Sequence, residues 1–127
     1  MTKKERVNLF LNKAKKDIKT ARSLNIEDPD FQEAIVFHCQ QAIEKYLKAF
    51  LIKNNVEYAK IHDLEFLIQE AMKIDKTFEK FIEIAELFNE YAVEIRYENI
   101  PLSKEDTLNS LDKITEFENF ISVKFVK

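Results

Sequence analysis

Two histidines and a few cations carry most of the side chains in this sequence that could hold an anion or move a proton. His38, Gln41, Lys45 and Lys48 fall at steps of three, four and three. On a helix turning about 100° per residue they share an arc of about 80°. This strip borders apolar residues, where partial desolvation would let a histidine and two lysines bind an anion or exchange a proton. A plainer reading stands beside it, with the histidine satisfied at the edge of the core and the lysines in water. His62-Asp63 is a second place of interest. Asp63 as a helix N-cap, with His62 packed over the helix start, accounts for that pair on structural grounds alone. Arg96 falls within about 20° of Asn89, two turns earlier, at the border of an inward stripe. Beside Tyr97, its guanidinium suits phosphate binding or a fixed ion pair with a carboxylate, and both readings remain open.

Other chemistries are excluded by what the chain lacks. Without glycine there is no glycine-rich phosphate loop, and no serine has the setting of a nucleophile. Cys39 is the lone cysteine, so it forms neither an internal disulfide nor a zinc motif, and its expected role is core packing. The histidines bring only the adjacent pair His62-Asp63 near a carboxylate, and adjacent residues rarely converge on one ion. The expectation is no metal and no cofactor.

The elements that must position these residues read as helices. Zero glycine nearly excludes tight turns that need positive φ, and Pro29 and Pro101 are the only proline breakers. Val7, Phe10, Leu11, Ala14, Ile18 and Ala21 recur at three- and four-residue steps, which predicts a helix over about residues 3–25. Asp30, with Glu33 three residues on, suggests the cap of a second helix running to about Asn54. That helix is apolar over most of its circumference: Phe31, Ile35, Cys39, Ala42, Tyr46 and Phe50 make one stripe, and Val36, Ile43 and Leu47 another. It is expected to be central or shared with a second subunit. Asp63 caps a third helix with Leu64, Leu67, Ile68, Ala71 and Met72. A fourth, about 76–98, turns Phe81, Ile84, Ala85, Phe88, Tyr91, Ala92 and Ile95 inward and Glu79, Glu83, Glu86, Glu90 and Glu94 outward. Ser103, with Asp106 three residues later, caps a last helix in which Leu108, Leu111, Ile114, Phe117 and Ile121 repeat. The fold class expected is all-α, an up-and-down antiparallel bundle of four to five helices.

Composition agrees. The 127 residues suit one domain over 1–127, and 46% hydrophobic with 34% charged residues describes a folded chain with a highly charged surface. No apolar run approaches the roughly 18 to 20 residues needed to cross a bilayer, and the opening MTKKERVNLF lacks a signal peptide's apolar core. A cytoplasmic location without membrane contact is expected. Residues 1–22 carry eight basic side chains against Glu5 and Asp17, a local +6 that leaves −9 for the rest. Such a helix could meet phosphate backbones or a partner's acidic face, though a solvated face needs no further explanation.

The segment Phe37-His38-Cys39-Gln40-Gln41-Ala42-Ile43-Glu44-Lys45-Tyr46-Leu47-Lys48-Ala49-Phe50-Leu51 resembles the signature second helix of HEPN domains (higher eukaryotes and prokaryotes nucleotide-binding). His62-Asp63-Leu64 is similar to the family's His-Asp-Leu before the third helix. Tyr91 and Arg96-Tyr97 resemble the Tyr and Arg-Tyr-Pro-Asp region closing the fourth. The ordered set covers about residues 5–125. The resemblance implies an antiparallel helical bundle that commonly dimerises, works in a nucleotide or nucleic-acid context, and often acts as the toxin-side partner of a small nucleotidyltransferase. It also implies, for many members, metal-independent RNA cleavage by an arginine and a histidine five to seven positions later. Here those positions after Arg96 are Pro101, Leu102 and Ser103, none a general acid or base at neutral pH, and Glu98-Asn99 replaces the Pro-Asp pair.

The leading expectation is therefore a homodimeric module that binds a nucleotide, RNA or a partner nucleotidyltransferase through a polar groove near Arg96. The rival is an unusual endoribonuclease in which Arg96 acts with His38 or His62 and the 2′-hydroxyl attacks the neighbouring phosphate. A purely structural bundle is the third reading, with Arg96 held in a salt bridge. Five glutamates on the fourth helix argue against RNA on that face.

Overall fold

In the computed structural model, residues 1–57, 60–95 and 101–126 are described. Each helix start has a local cause. α1, Lys3–Ser23, begins at Thr2, whose hydroxyl accepts from the Glu5 N–H while Glu5 reaches back to the Thr2 N–H, a capping box. α2, Pro29–Lys53, begins two residues earlier than the sequence suggested. Asp28 is its cap, accepting from the Asp30 N–H at 2.9 Å. Pro29 takes the first helical position, where a missing N–H leaves no bond unmade. Asp63 caps α3, Leu64–Met72, and the Ser103–Asp106 capping box starts α5, Lys104–Ser122.

The expected fourth helix is divided. Asp75 caps a 3₁₀ segment, Lys76–Phe81, and α4 proper runs Ile82–Val93. In a 3₁₀ turn residues i and i+3 eclipse, which sends Phe78 and Phe81 into the core together. The end of α2 shows how the chain manages without glycine. Asn55 takes the left-handed conformation at φ 66°, while the Val56 N–H reaches the Leu51 carbonyl and the Asn55 N–H the Ile52 carbonyl. This is the closure glycine usually provides, and asparagine tolerates that φ better than other residues with a Cβ.

Pairs of contacting residues fix the directions. Lys3 bonds Asn55 and His38 bonds Asp17, so α1 and α2 are antiparallel. Phe78 packs on Phe50, while Asn89 and Gln41 line one groove, so α4 also opposes α2. α5 opposes α4, with Asn109 against Tyr91 and Phe117 against Phe81. The four long helices thus alternate up and down. α3 is inserted between α2 and α4 and runs with α2, since His62 before it meets Glu44 and Asp75 after it meets Lys124 near the Lys53 end.

Most of the apolar circumference of α2 is absorbed by its own bundle. Ile35, Val36, Cys39, Ala42, Ile43, Tyr46, Leu47 and Leu51 are all nearly inaccessible. Phe31 departs from the expected stripe and is exposed in the first turn, as is Phe37 farther along. Leu108 of α5 is likewise exposed, because Thr107 and Ser110 take the buried positions and return their hydroxyls to the Ser103 and Asp106 carbonyls. Such back-bonding satisfies a buried hydroxyl without an external partner. Burial pushes the Cys39 thiol up to about 12, and pushes Tyr46 up as well, its hydroxyl donating to Glu118 at 2.9 Å. Among the described residues no buried side-chain nitrogen or oxygen lacks a partner, and no helix is long and apolar enough to cross a membrane.

Candidate functional site

The polar strip on α2 is present, but its members serve two separate clusters. On the α1 side, His38 Nδ1 lies 2.9 Å from Asp17 Oδ1, and Lys45 is hydrogen-bonded to the other oxygen of that carboxylate. Asp17 itself is buried, so one carboxylate holds an imidazole and an ammonium at the α1–α2 seam. On the other side of the strip, Lys48 lies buried and donates to Glu44 Oε2 at 3.0 Å. His62, reaching over from the start of α3, places Nδ1 3.0 Å from the same oxygen. Neither lysine is a cation standing in water: each has a carboxylate partner inside the protein.

Glu44 and His62 belong to the wall of an open groove of about 780 Å³ between α2, the start of α3 and the end of α4. Phe37, Gln40 and Gln41 line it from α2, Asp63 from the α3 cap, and Asn89, Ala92 and Val93 from α4. Phe37 is half exposed, a ring standing at the groove edge against the His38 imidazole, edge to face at 5.4 Å. Asp63 is engaged by the α3 N–H groups of Glu65 and Phe66. A smaller cavity of about 130 Å³ adjoins, lined by Val36, Phe37, Tyr91 and Ile95 among others. Burial pushes the Tyr91 phenol upward, so it stays a neutral hydroxyl, and Asn109 donates to it.

Of the residues the sequence singled out, Gln41, Asn89 and His62 therefore share one groove, Lys48 supports it from within, and His38 and Lys45 face α1. Arg96 and Tyr97 lie outside the described residues. The positions that follow do have clear duties: Leu102 is buried in the core and Ser103 caps α5. A histidine at either of these two positions would give up that duty. No cluster of three or more metal-binding side chains occurs among the described residues.

A family model for the HEPN domain matches residues 7–124. The chain belongs to the HEPN family. No curated protein and no solved structure matches it. HEPN domains form a family of nucleotide-binding and RNase-type modules.

Sequence reasoning missed Glu44, the carboxylate at the centre of this HEPN groove, and Asp17, the one at the seam. Both left a signal. Glu44 continues the Gln41-to-Lys48 ladder at steps of three and four, so it had to lie on the same face. Asp17 stands at the same spacing between Ala14 and Ala21, an acidic residue inside the apolar stripe of an otherwise basic helix. A buried carboxylate calls for a cation, which Lys45 supplies, and the His38 imidazole takes its other oxygen.

Proposed function

We propose that this HEPN domain is a nucleotide- or RNA-binding module whose ligand lies in the α2–α4 groove. One observation carries the reading. Glu44 is paired with Lys48 and His62, Asp63 is held by the α3 N–H groups, and beside them the groove offers a half-exposed Phe37 and the amides of Gln40, Gln41 and Asn89. An aromatic face stacks on a base, and amides offer both a donor and an acceptor to a base edge. In the sequence Arg96 and Tyr97 come shortly after the end of α4, the helix bearing Asn89, and a guanidinium is a group suited to a phosphate of the same ligand. The module is proposed to act as a homodimer, with Phe37 and Val93 exposed at the groove, and as the toxin-side partner of a small nucleotidyltransferase, as the family resemblance implies.

The second reading is RNA cleavage by Arg96 with a histidine, and His62 is the better partner because it opens on the groove while His38 is tied to Asp17. Titration of a short single-stranded RNA against wild type, Arg96→Ala and His38→Ala, with cleavage followed in chelator, tests both. Arg96→Ala is expected to weaken binding while leaving helical content intact, and His38→Ala to have the smaller effect. Cleavage is expected at background, since losing a general acid or base typically costs about 10²- to 10⁴-fold. Robust cleavage abolished by His62→Ala would make the protein an enzyme. Unchanged binding in Arg96→Ala would remove the arginine from the site.

A further inference from the structure

The Glu44–His62 pair fixes the tautomer of the neutral imidazole. The Lys48 ammonium can only donate and the Glu44 carboxylate can only accept, so the two neighbours of His62 Nδ1 make opposite demands on it. The carboxylate is the nearer, at 3.0 Å against 3.4 Å for the ammonium, and Lys48 donates to Glu44 instead. Nδ1 therefore carries the hydrogen and Nε2 the lone pair. Glu44 is 3% accessible and cannot turn to water, so this arrangement is built into the wall. The imidazole is mostly exposed, and among the described residues no side chain bonds its Nε2.

A hydrogen-bond acceptor beside the carboxylates of Glu44 and Asp63 is the wrong group for a phosphate and the right one for a donor. A nucleotide's donors are base amino or imino groups and sugar hydroxyls. Gln40, Gln41 and Asn89 already supply amide carbonyls for the base. Within an RNA strand the 3′-oxygen is esterified, which leaves the 2′-hydroxyl as the donor on the sugar, and it is the group that separates RNA from DNA. We infer that His62 Nε2 accepts a hydrogen bond from a ribose 2′-hydroxyl, so that the groove selects ribonucleotides, with Glu44 as the positioning residue that keeps Nε2 an acceptor. This rests on the groove being the nucleotide site.

The test uses the full chain at pH 8, where an imidazole is ordinarily neutral. The probes are a single-stranded five-nucleotide oligoadenylate RNA and its 2′-O-methyl counterpart, which keeps an ether oxygen and loses the donor. Wild type is expected to prefer the RNA by about fivefold, the usual worth of one net hydrogen bond. His62→Ala brings RNA affinity down to that of the methylated strand. Glu44→Gln also removes the preference without loss of helical content, because its single carbonyl serves Lys48 and its amide donates to Nδ1, moving the imidazole hydrogen to Nε2. The ¹⁵N shifts of the His62 ring report that exchange of tautomer directly. Equal binding of the two strands by wild type overturns the inference and leaves the groove standing as the binding site. A uniform loss for both strands in His62→Ala also overturns it, by making His62 a general contact. Failure of either strand to bind wild type defeats the nucleotide reading and the inference together.

Discussion

At the Phe50 end of α2, Phe78, Phe81, Phe117 and Phe120 pack ring on ring, with centroids 4.6 to 6.4 Å apart, and Phe50 closes on Phe78 at 4.7 Å. The Lys80 and Lys124 ammonium groups lie 4.6 and 4.5 Å from the Phe120 ring centre, covering it with charge. At the Phe37 end the same helix carries glutamine, glutamate and an exposed ring over open space. The first region satisfies itself through dispersion and cation–π contact and leaves nothing for a ligand. In the second, one polar cluster is satisfied internally, but the amides and Phe37 still face outward. On the proposed reading stability and recognition occupy opposite ends of one helix, and substitutions should separate them.

The largest expected effect lies at the aromatic end. Phe78→Ala removes a fully buried ring touching Phe50 and Phe120 and should cost about 3–5 kcal/mol, read as a lower midpoint in urea unfolding. If the comparison holds, ligand affinity of the folded fraction stays unchanged. An affinity loss beyond the unfolded fraction would show that the two ends are coupled.

A step smaller is the buried pair behind the groove. Lys48→Met leaves the Glu44 charge with His62 alone and should cost about 3 kcal/mol, whereas the double variant Lys48→Met/Glu44→Leu should recover most of that stability. Recovery would mean that the charges are retained for the groove's chemistry and not for the fold. Persistent loss in the double variant would make them structural.

The smallest effect is electrostatic, back at the aromatic end. Lys124 and Thr77 hold the Asp75 carboxyl down at about 2, below its ordinary 3.8. The folded state favours the ionised form, so this contribution is complete above pH 3.8 and is lost as pH falls through about 2. Asp75 is partly exposed, and solvent screening keeps the gain small. Asp75→Asn should cost about 1 kcal/mol at neutral pH, with the gap from wild type closing on acid titration. A gap independent of pH would mean that only the cap of the 3₁₀ segment matters.

Helix number, periodicity and two of the caps, Asp63 and Ser103, could be read directly from the sequence because they depend on neighbours within one turn. The Asp28 cap was obscured by Asp30, an equally good cap residue, and only Pro29 decides between them. Phe78 hid the 3₁₀ segment, since its inward direction cannot be inferred from an α-helical period. In the site, Gln41, Asn89 and His62 could be nominated by type and position, but their meeting depends on α3 running with α2. No local pattern carries that long-range fact. The same gap concealed Glu44, whose solvent-exposed look in sequence changes once His62 is brought over it.

Cys39 gives the helical core a built-in clock. Its sulfur is inaccessible, and burial lifts the thiol far from the ionised form that reacts with alkylating agents. Modification of the native chain must therefore wait for the bundle to open, and under excess reagent its pace counts openings of the core. A ligand that grips only the folded groove would slow that clock in proportion to its occupancy, turning an inert sulfur into a gauge of binding that needs no label on the ligand.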